Sequence, residues 1–136
     1  MFKSLLTAAA LMALMLGATI AVSEAAETKS AALAGDELSK AISGKTVYLR
    51  ISGFDLPIHY APGGAMSGSM NTVMAALARG DGASDRGKWW IADNQLCQRW
   101  YVWMDGKSYC YRFTVSGSAV HWVRDDGRSG TARIGN

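Results

Sequence analysis

The sequence of 136 residues contains few of the side chains that usually build catalytic or metal centres. It has two cysteines and two histidines, and these show neither a C-x-x-C spacing nor the regular spacing of zinc ligands. None of its serines lies in a G-x-S-x-G turn, so no nucleophile is indicated for a triad with histidine and a carboxylate. We therefore predict no catalytic, metal or cofactor site, and expect that the protein is not an enzyme.

Two histidines and two adjacent aspartates would be candidate catalytic residues only if the fold placed them together in a pocket. His59 and His121 fall in predicted strands, on the face opposite the large apolar side chains, which is typical of solvated histidines. Asp125 and Asp126 precede Gly127, a pattern typical of a turn. We interpret the histidines as solvated strand residues and the aspartates as turn residues.

Charge of one sign is not concentrated anywhere in the chain. The 14 lysines and arginines and the 11 acidic residues are scattered, and no basic run or basic helix face is present. Proteins that bind nucleic acid usually show such a run or face. The sequence therefore predicts no nucleic-acid partner.

Only one long apolar run occurs, at residues 4–22, after a start that carries a single lysine. Small residues follow it, so residues 1–25 fit a signal peptide that is cleaved after Ser23 or Ala25. A retained membrane anchor is the alternative, since a span needs about 17 residues or more. We expect a periplasmic or secreted protein without a membrane span after cleavage, a flexible linker at 26–35 and one domain at 36–136.

The domain begins with a short helix pattern and continues with strand patterns. Apolar residues on one face predict a helix at 36–43, with Asp36 as its cap and Gly44 as its end. From residue 45 the apolar period changes to two, which indicates strands. The predicted strands cover residues 46–51, 54–60, 65–70 (weak), 88–92, 96–104, 107–115, 118–124 and 128–134.

Two segments between these strands are less regular. Residues 71–78 suit a helix by propensity and a strand by position, and we favour a strand. Residues 80–86 are polar and contain glycine, so we predict the most mobile loop there. Pro57 belongs at an edge or bulge. Many short strands joined by tight turns predict a mainly β fold, an antiparallel meander forming a small open or closed barrel with one short N-terminal helix.

The two cysteines constrain how their strands pair. An even cysteine count in an exported chain indicates a disulfide. A two-residue turn at 105–106 would leave Cys97 and Cys110 roughly 13 Å apart along the strands, beyond the limit of about 7 Å between bridged Cα atoms. The same turn would put Arg99 opposite Arg112, a like-charge pair that a sheet disfavours.

Direct pairing of Cys97 with Cys110 removes both conflicts, and we predict that register and the disulfide. It requires a wider loop at 102–105, with Trp103 and Met104 at the tip.

The aromatic residues between 87 and 122 predict the core. Both possible registers of the hairpin that carries Cys97 and Cys110 place Trp100, Tyr109, Tyr111 and Phe113 on the same face of the sheet. A two-residue turn at 116–117 would further pair Phe113 with Val120 and Tyr111 with Trp122. The predicted core set is Trp100, Tyr109, Tyr111, Phe113 and Trp122.

Other aromatic residues suggest a binding surface. Adjacent strand residues face opposite sides, so Trp89 and Trp90 cannot share one core. Exposed aromatic patches suggest a partner or ligand surface, although a sheet packed on both faces would also accommodate them. The candidate binding patch is Trp89, Trp90, Trp103 and Met104.

Three motifs resemble a known family. They are G-K-W-W at 87–90, L-C-Q-R-W at 96–100 and Y-C-Y-R at 109–112, with a glycine-containing segment at 64–68 before them. Together they resemble small exported bacterial proteins grouped as domain of unknown function 995, over residues 44–127. The resemblance implies a cell-envelope β-protein with a disulfide and no assigned catalytic residues.

These observations favour a non-catalytic binding module. Its partner would be an envelope protein or a small apolar ligand, bound at a barrel mouth or an aromatic patch. The alternative is a proteinaceous inhibitor of a cell-wall hydrolase, like the small disulfide-stapled barrels that inhibit lysozyme.

Overall fold

A computed structural model describes residues 31–78 and 82–135 of the chain. The predicted signal peptide 1–25 and the first half of the predicted linker, 26–30, lie outside the described residues. Where that linker is described, it lies against the domain. Ala32 forms a β-bridge with Thr114, and the Leu33 N–H donates to the Phe113 carbonyl at 2.9 Å.

Eight antiparallel strands form a closed barrel. Each strand pairs with the next in sequence, and the last pairs with the first, which confirms the predicted mainly β class and the predicted meander. Closure leaves no outer strand of the sheet unpaired. The strands are β1 (Lys45–Ile51), β2 (Phe54–Tyr60), β3 (Ala65–Ser69), β4 (Ser84–Ala92), β5 (Gln95–Trp100), β6 (Ser108–Ser116), β7 (Ala119–Arg124) and β8 (Ser129–Gly135).

The period of two in the strands sorts side chains between the interior and solvent. In β2, for example, Leu56, Ile58 and Tyr60 are buried, whereas the intervening His59 is exposed. Pro57 is paired with Tyr48 of β1, but it lies in the half of β2 that β3 does not reach, because β3 pairs with β2 only over Ile58–Tyr60. The fully or nearly fully buried strand residues include Val47, Leu56, Ile58, Tyr60, Met66, Leu96, Trp100, Phe113 and Val120.

Helix α1 (Gly35–Ile42) packs at the end of the barrel where β1 begins. Its Leu38 and Ile42 are 0% exposed, so the apolar face predicted from sequence closes this end. Gly44 has φ +76°, as predicted for a helix end in the left-handed conformation. The prediction of Asp36 as the cap is wrong: the cap is Ala34, and Asp36 lies in the first turn.

The segment 71–78 contains a helix, so the favoured strand is wrong. Helix α2 (Thr72–Leu77) connects β3 to β4 at the end of the barrel opposite α1. Asn71 caps it, since its side-chain oxygen accepts a hydrogen bond from the Met74 N–H at 2.8 Å, and the Met74 side chain is buried. The predicted mobile loop 80–86 is also too long, because its last three residues, from Ser84, belong to β4.

The disulfide register is confirmed. Cys97 lies directly opposite Cys110, and the two form the disulfide. The loop between their strands contains a short 3-10 turn, Trp103–Gly106. Among the described residues no helix is both long enough and apolar enough to cross a membrane.

The next hairpin differs from the predicted one by one residue on each strand. Ser116 pairs with Ala119, so the turn is at 117–118 rather than 116–117. Phe113 therefore lies opposite Trp122 rather than Val120. Gly117 takes φ +60° in this turn, a conformation that glycine adopts without strain. The shift preserves the faces: Trp100 and Phe113 are in the core, and Tyr111 and Trp122 are partly buried against it. Tyr109 does not belong to this core as predicted, and its ring lies beneath the Arg124 guanidinium.

Candidate functional site

The four residues of the predicted patch do not form one surface. Trp89 is only 7% exposed, and its Nε1–H donates to the Ala61 carbonyl at 2.9 Å. Trp90 faces outward and is 40% exposed. The prediction that the two face opposite sides is confirmed, and it separates them across the barrel wall.

Trp103 is buried, contrary to its predicted place at an exposed loop tip. Its exposure is 5%, and its ring centre lies 4.7 Å from that of Trp100. A Cβ on Gly68 would lie 2.8 Å from the Trp103 ring, so the absence of a side chain there makes room for the indole. Met104 is half-buried and belongs to a different cleft, described below.

A buried carboxylate fixes the loop that carries Trp103. Asp85 accepts hydrogen bonds from the backbone N–H groups of Arg86, Val102 and Trp103, each at 2.8 Å. Burial alone would raise the pKa of Asp85, but these backbone donors outweigh it and hold the pKa below its ordinary value. Asp85 therefore ties the start of β4 to the loop after β5.

The principal candidate site is a cleft at the barrel end opposite α1, which we call the barrel mouth. It has a volume of about 500 Å³. The ends of β1 and β7, the start of β8 and the 3-10 turn surround it. It is lined by Leu49, Arg50, Ile51, Ser52, Met104, Tyr111, Trp122, Arg124, Arg128 and Ser129.

The mouth leads into the apolar interior. A gap of about 30 Å³ lies beneath it, and Leu49, Tyr111 and Trp122 line both spaces. Deeper still, the Tyr60 hydroxyl donates to the Gln98 side-chain oxygen at 2.7 Å, and burial, followed by the nearby Tyr111, raises the pKa of Tyr60. This hydrogen bond pairs two buried polar side chains with each other, and the wall above them is largely apolar.

Trp122 forms the boundary between the interior gap and the mouth. Its ring packs over Gly130, where a Cβ would lie 2.5 Å from the indole, and it meets Tyr111 edge to face at 5.5 Å. Among the described residues its buried Nε1–H has no hydrogen-bond partner. Such a donor costs about 1–3 kcal/mol, so a ligand acceptor that reached it would be favoured.

The rim of the mouth is formed largely by arginine side chains. Arg50 pairs with Asp55 at 3.1 Å, and Arg124 pairs with Asp126 at 2.5 Å. The Asp126 hydrogen bond raises the pKa of Arg124, and Arg124 in turn lowers the pKa of Asp126 to about 2. With Arg128 included, three arginines line the mouth, while the aspartates that pair with two of them lie outside its described lining.

A barrel mouth was one predicted binding place, but its lining comes from β1, β6, β7, β8 and the 3-10 turn, and no local pattern in the sequence links these elements. Of the predicted patch, only Met104 lines the mouth. The turn R-D-D-G-R at 124–128 was interpreted as a turn alone, whereas its two arginines also edge the mouth.

The two histidines considered in the sequence do not line the mouth. His59 and His121 are exposed on the outer wall, as predicted. Within residues 31–78 and 82–135, no three His, Cys, Asp or Glu side chains are placed to hold a metal ion. Comparisons with protein-family models, curated proteins and solved structures give no match to this chain.

Proposed function

We propose that the protein is a non-catalytic binding module that takes a small amphipathic anion at the barrel mouth. The observation that carries this proposal is the continuity of a charged rim with an apolar wall. An aliphatic or aromatic portion would lie against Leu49, Met104 and Trp122, and the anionic group would lie near Arg124 and Arg128.

General properties of ligand sites support this assignment. Small-molecule sites are concave, mostly apolar, and carry a few polar groups that fix the ligand's orientation. Among the residues that the structure describes, three arginines and no acidic side chain line the mouth. A guanidinium group binds carboxylates well because its N–H groups match the two oxygens. A neutral apolar ligand would leave this charge unused.

Octanoate is a suitable probe, with 1-octanol as the neutral ligand of the same chain length. Titration calorimetry should show that the purified chain binds octanoate at least about ten-fold more tightly than 1-octanol, because only the carboxylate pairs with the rim. Met104→Glu places a negative charge in the mouth and should weaken octanoate binding by about ten-fold or more.

Val73→Glu is the matched control, since Val73 is 53% exposed on α2 and does not line the mouth. We expect this variant to bind octanoate within two-fold of the parent chain, roughly the limit set by a screened surface charge. Absence of octanoate binding, or equal weakening by both variants, would contradict the proposed site.

We also propose that the chain is exported and that it belongs with the envelope proteins it resembles. The apolar run at 4–22 supports export, and a disulfide is typical of oxidising compartments. Sequencing the N-terminus of the protein recovered from an envelope fraction tests this. A start after Ser23 or Ala25 is expected, and an intact N-terminus would overturn it.

A further inference from the structure

A second surface lies on the outside of the barrel, along β3. The outward side chains of this strand are Ala65, Ser67 and Ser69. Because these side chains are small, β3 forms the floor of a depression between its neighbours β2 and β4. We call this depression the outer trough.

Three adjoining clefts make up the outer trough, with volumes of about 670, 450 and 230 Å³. They share lining residues. Ala65 lines both the 450 Å³ and the 230 Å³ cleft. Arg86 and His59 line both the 670 Å³ and the 230 Å³ cleft, and Tyr101 lines both the 670 Å³ and the 450 Å³ cleft. Five strand residues extend about 15 Å, so the trough has the shape of a site for an extended chain.

The walls of the trough are basic. Arg86 and Lys88 on β4 line it, and neither forms an ion pair with a carboxylate of the described residues. Strands β3, β4 and β5 together contain a single acidic residue, Asp85. Asp85 also lines the largest of the three clefts, where backbone N–H groups already occupy its carboxylate. Arg86 and Lys88 therefore outnumber the single acidic side chain of these strands.

Two exposed aromatic rings stand beside these cations. Trp90 is 40% exposed and Tyr101 is 62% exposed, and both line the same cleft as Lys88. The Asp85 anchor fixes the position of the Tyr101 wall, because the two residues after Tyr101 donate to that carboxylate. Large exposed aromatics in a groove mark an interaction surface rather than ordinary packing.

The hydrogen bonding of β3 narrows the choice of occupant. An extended peptide usually binds by adding a strand to a free sheet edge. From Met66 to Gly68, β3 is paired with β2 on one side and with β4 on the other, so the floor offers no edge. What it offers is hydroxyl groups from Ser67 and Ser69, flanked by cations and aromatic rings.

We propose that the outer trough binds an acidic polysaccharide chain. Sugar rings present C–H faces that stack on Trp90 and Tyr101, and sugar hydroxyls exchange hydrogen bonds with the serine floor. Carboxylates on the sugars pair with Arg86 and Lys88. This site is separate from the barrel mouth, and the two share no lining residue.

Titration calorimetry with tetragalacturonate and tetramannuronate tests this proposal on the purified chain. We expect at least one of them to bind, and its fully methyl-esterified form to bind about ten-fold more weakly or worse, because esterification removes the charge and keeps the rings. The paired change Arg86→Gln with Lys88→Gln should cause a comparable loss. Trp90→Ala should weaken binding by about five-fold or more.

Lys107→Gln with Arg112→Gln is the matched control, because it removes two exposed cations that do not line the trough. Circular dichroism and thermal unfolding establish that every variant folds. Several results would overturn the proposal: no binding of either acidic tetrasaccharide, equal binding of the ester, or equal losses in the two double variants. Tighter binding of a single-stranded oligothymidylate or an oligoglutamate would assign the trough to a different class of partner.

Discussion

Asp85 connects the interior of the barrel to its outer surface. Its side chain points inward, yet the backbone N–H groups that it accepts belong to the loop that forms one wall of the outer trough. A buried carboxylate with three such donors is a strong local anchor, since charge-assisted hydrogen bonds are about twice as strong as neutral ones. The loop after β5 therefore depends on one side chain of β4.

Replacement of this carboxylate should measure the strength of the anchor. Asp85→Asn turns one acceptor oxygen into an amide donor that faces backbone N–H groups, so at least one of them loses its partner. We expect the free energy of unfolding in urea at pH 7 to fall by about 2 kcal/mol. Asp55→Asn, which breaks only the exposed pair with Arg50, should change it by less than about 0.5 kcal/mol.

The lowered pKa of Asp85 also predicts how stability depends on pH. An aspartate in the unfolded chain titrates near a pKa of ~3.9, and the folded pKa lies below that. The stabilisation is therefore complete above the unfolded pKa and is lost as the pH falls through the folded pKa. Stability measured from pH 6 to pH 2 should fall less steeply in Asp85→Asn than in the parent chain, and equal slopes would contradict the anchor.

Glycines opposite aromatic rings were not predicted from the sequence. Gly68 accommodates Trp103, and Gly130 accommodates Trp122. Each glycine lies on a different element from the indole that covers it, since Trp103 is in the 3-10 turn and Trp122 is in β7. This pairing is the reason that Trp103 lies in the core and not at a loop tip.

At the scale of elements, the disulfide fixes the register of β5 against β6. Its cysteines are 13 residues apart in sequence. Closing a loop of that length restricts the unfolded chain and contributes about 3 kcal/mol. The bond lies on the outer face, opposite Trp90 on β4, and so stabilises the wall of the barrel rather than its interior.

Removal of the bond should lower stability without changing the fold. For Cys97→Ala with Cys110→Ala, we expect the free energy of unfolding to fall by about 3 kcal/mol, while the near-UV circular dichroism of the tryptophans is retained. Reduction of the parent chain should produce a similar loss. A change below about 1 kcal/mol would mean that the strands hold their register without the bond.

The two helices show where local patterns succeed and where they fail. The local pattern was sufficient to predict helix α1. Its buried residues Leu38 and Ile42 follow the helical period, and Gly44 follows the end of the helix. For α2, the helical propensity of 71–78 predicts the structure correctly, whereas its position between strands does not. The Asn71 cap and the Met74 anchor decided for helix, because in a barrel this segment crosses an end and has no neighbouring strand to join.

At the scale of the whole molecule, closure of the barrel determines which surfaces exist. β8 pairs with β1 and with β7, so no strand is left at the edge of the sheet. Closure also creates two separate candidate surfaces, the barrel mouth at one end and the outer trough on the wall. The mouth gathers residues from both ends of the domain sequence, which only closure brings together.

A chain that ends at Arg128 should test the importance of closure. It lacks β8, which exposes the edges of β1 and β7 and removes Ala132 and Ile134 from the interior. Exposed strand edges promote association, so we expect loss of cooperative thermal unfolding and self-association in sedimentation velocity. A chain that ends at Gly135 keeps β8 and should remain monodisperse at the size of the parent chain.

The sequence by itself determined the class of fold, the approximate strand positions, the alternation of faces and the disulfide register. These depend on local periodicity and on a distance limit between two cysteines, both of which act over short segments. Only the tertiary structure decided the closure of the barrel, the burial of Trp103, the helix at α2 and the composition of the mouth and trough. Each of these depends on contacts between residues far apart in sequence, where side-chain volume and strand pairing outweigh local preference.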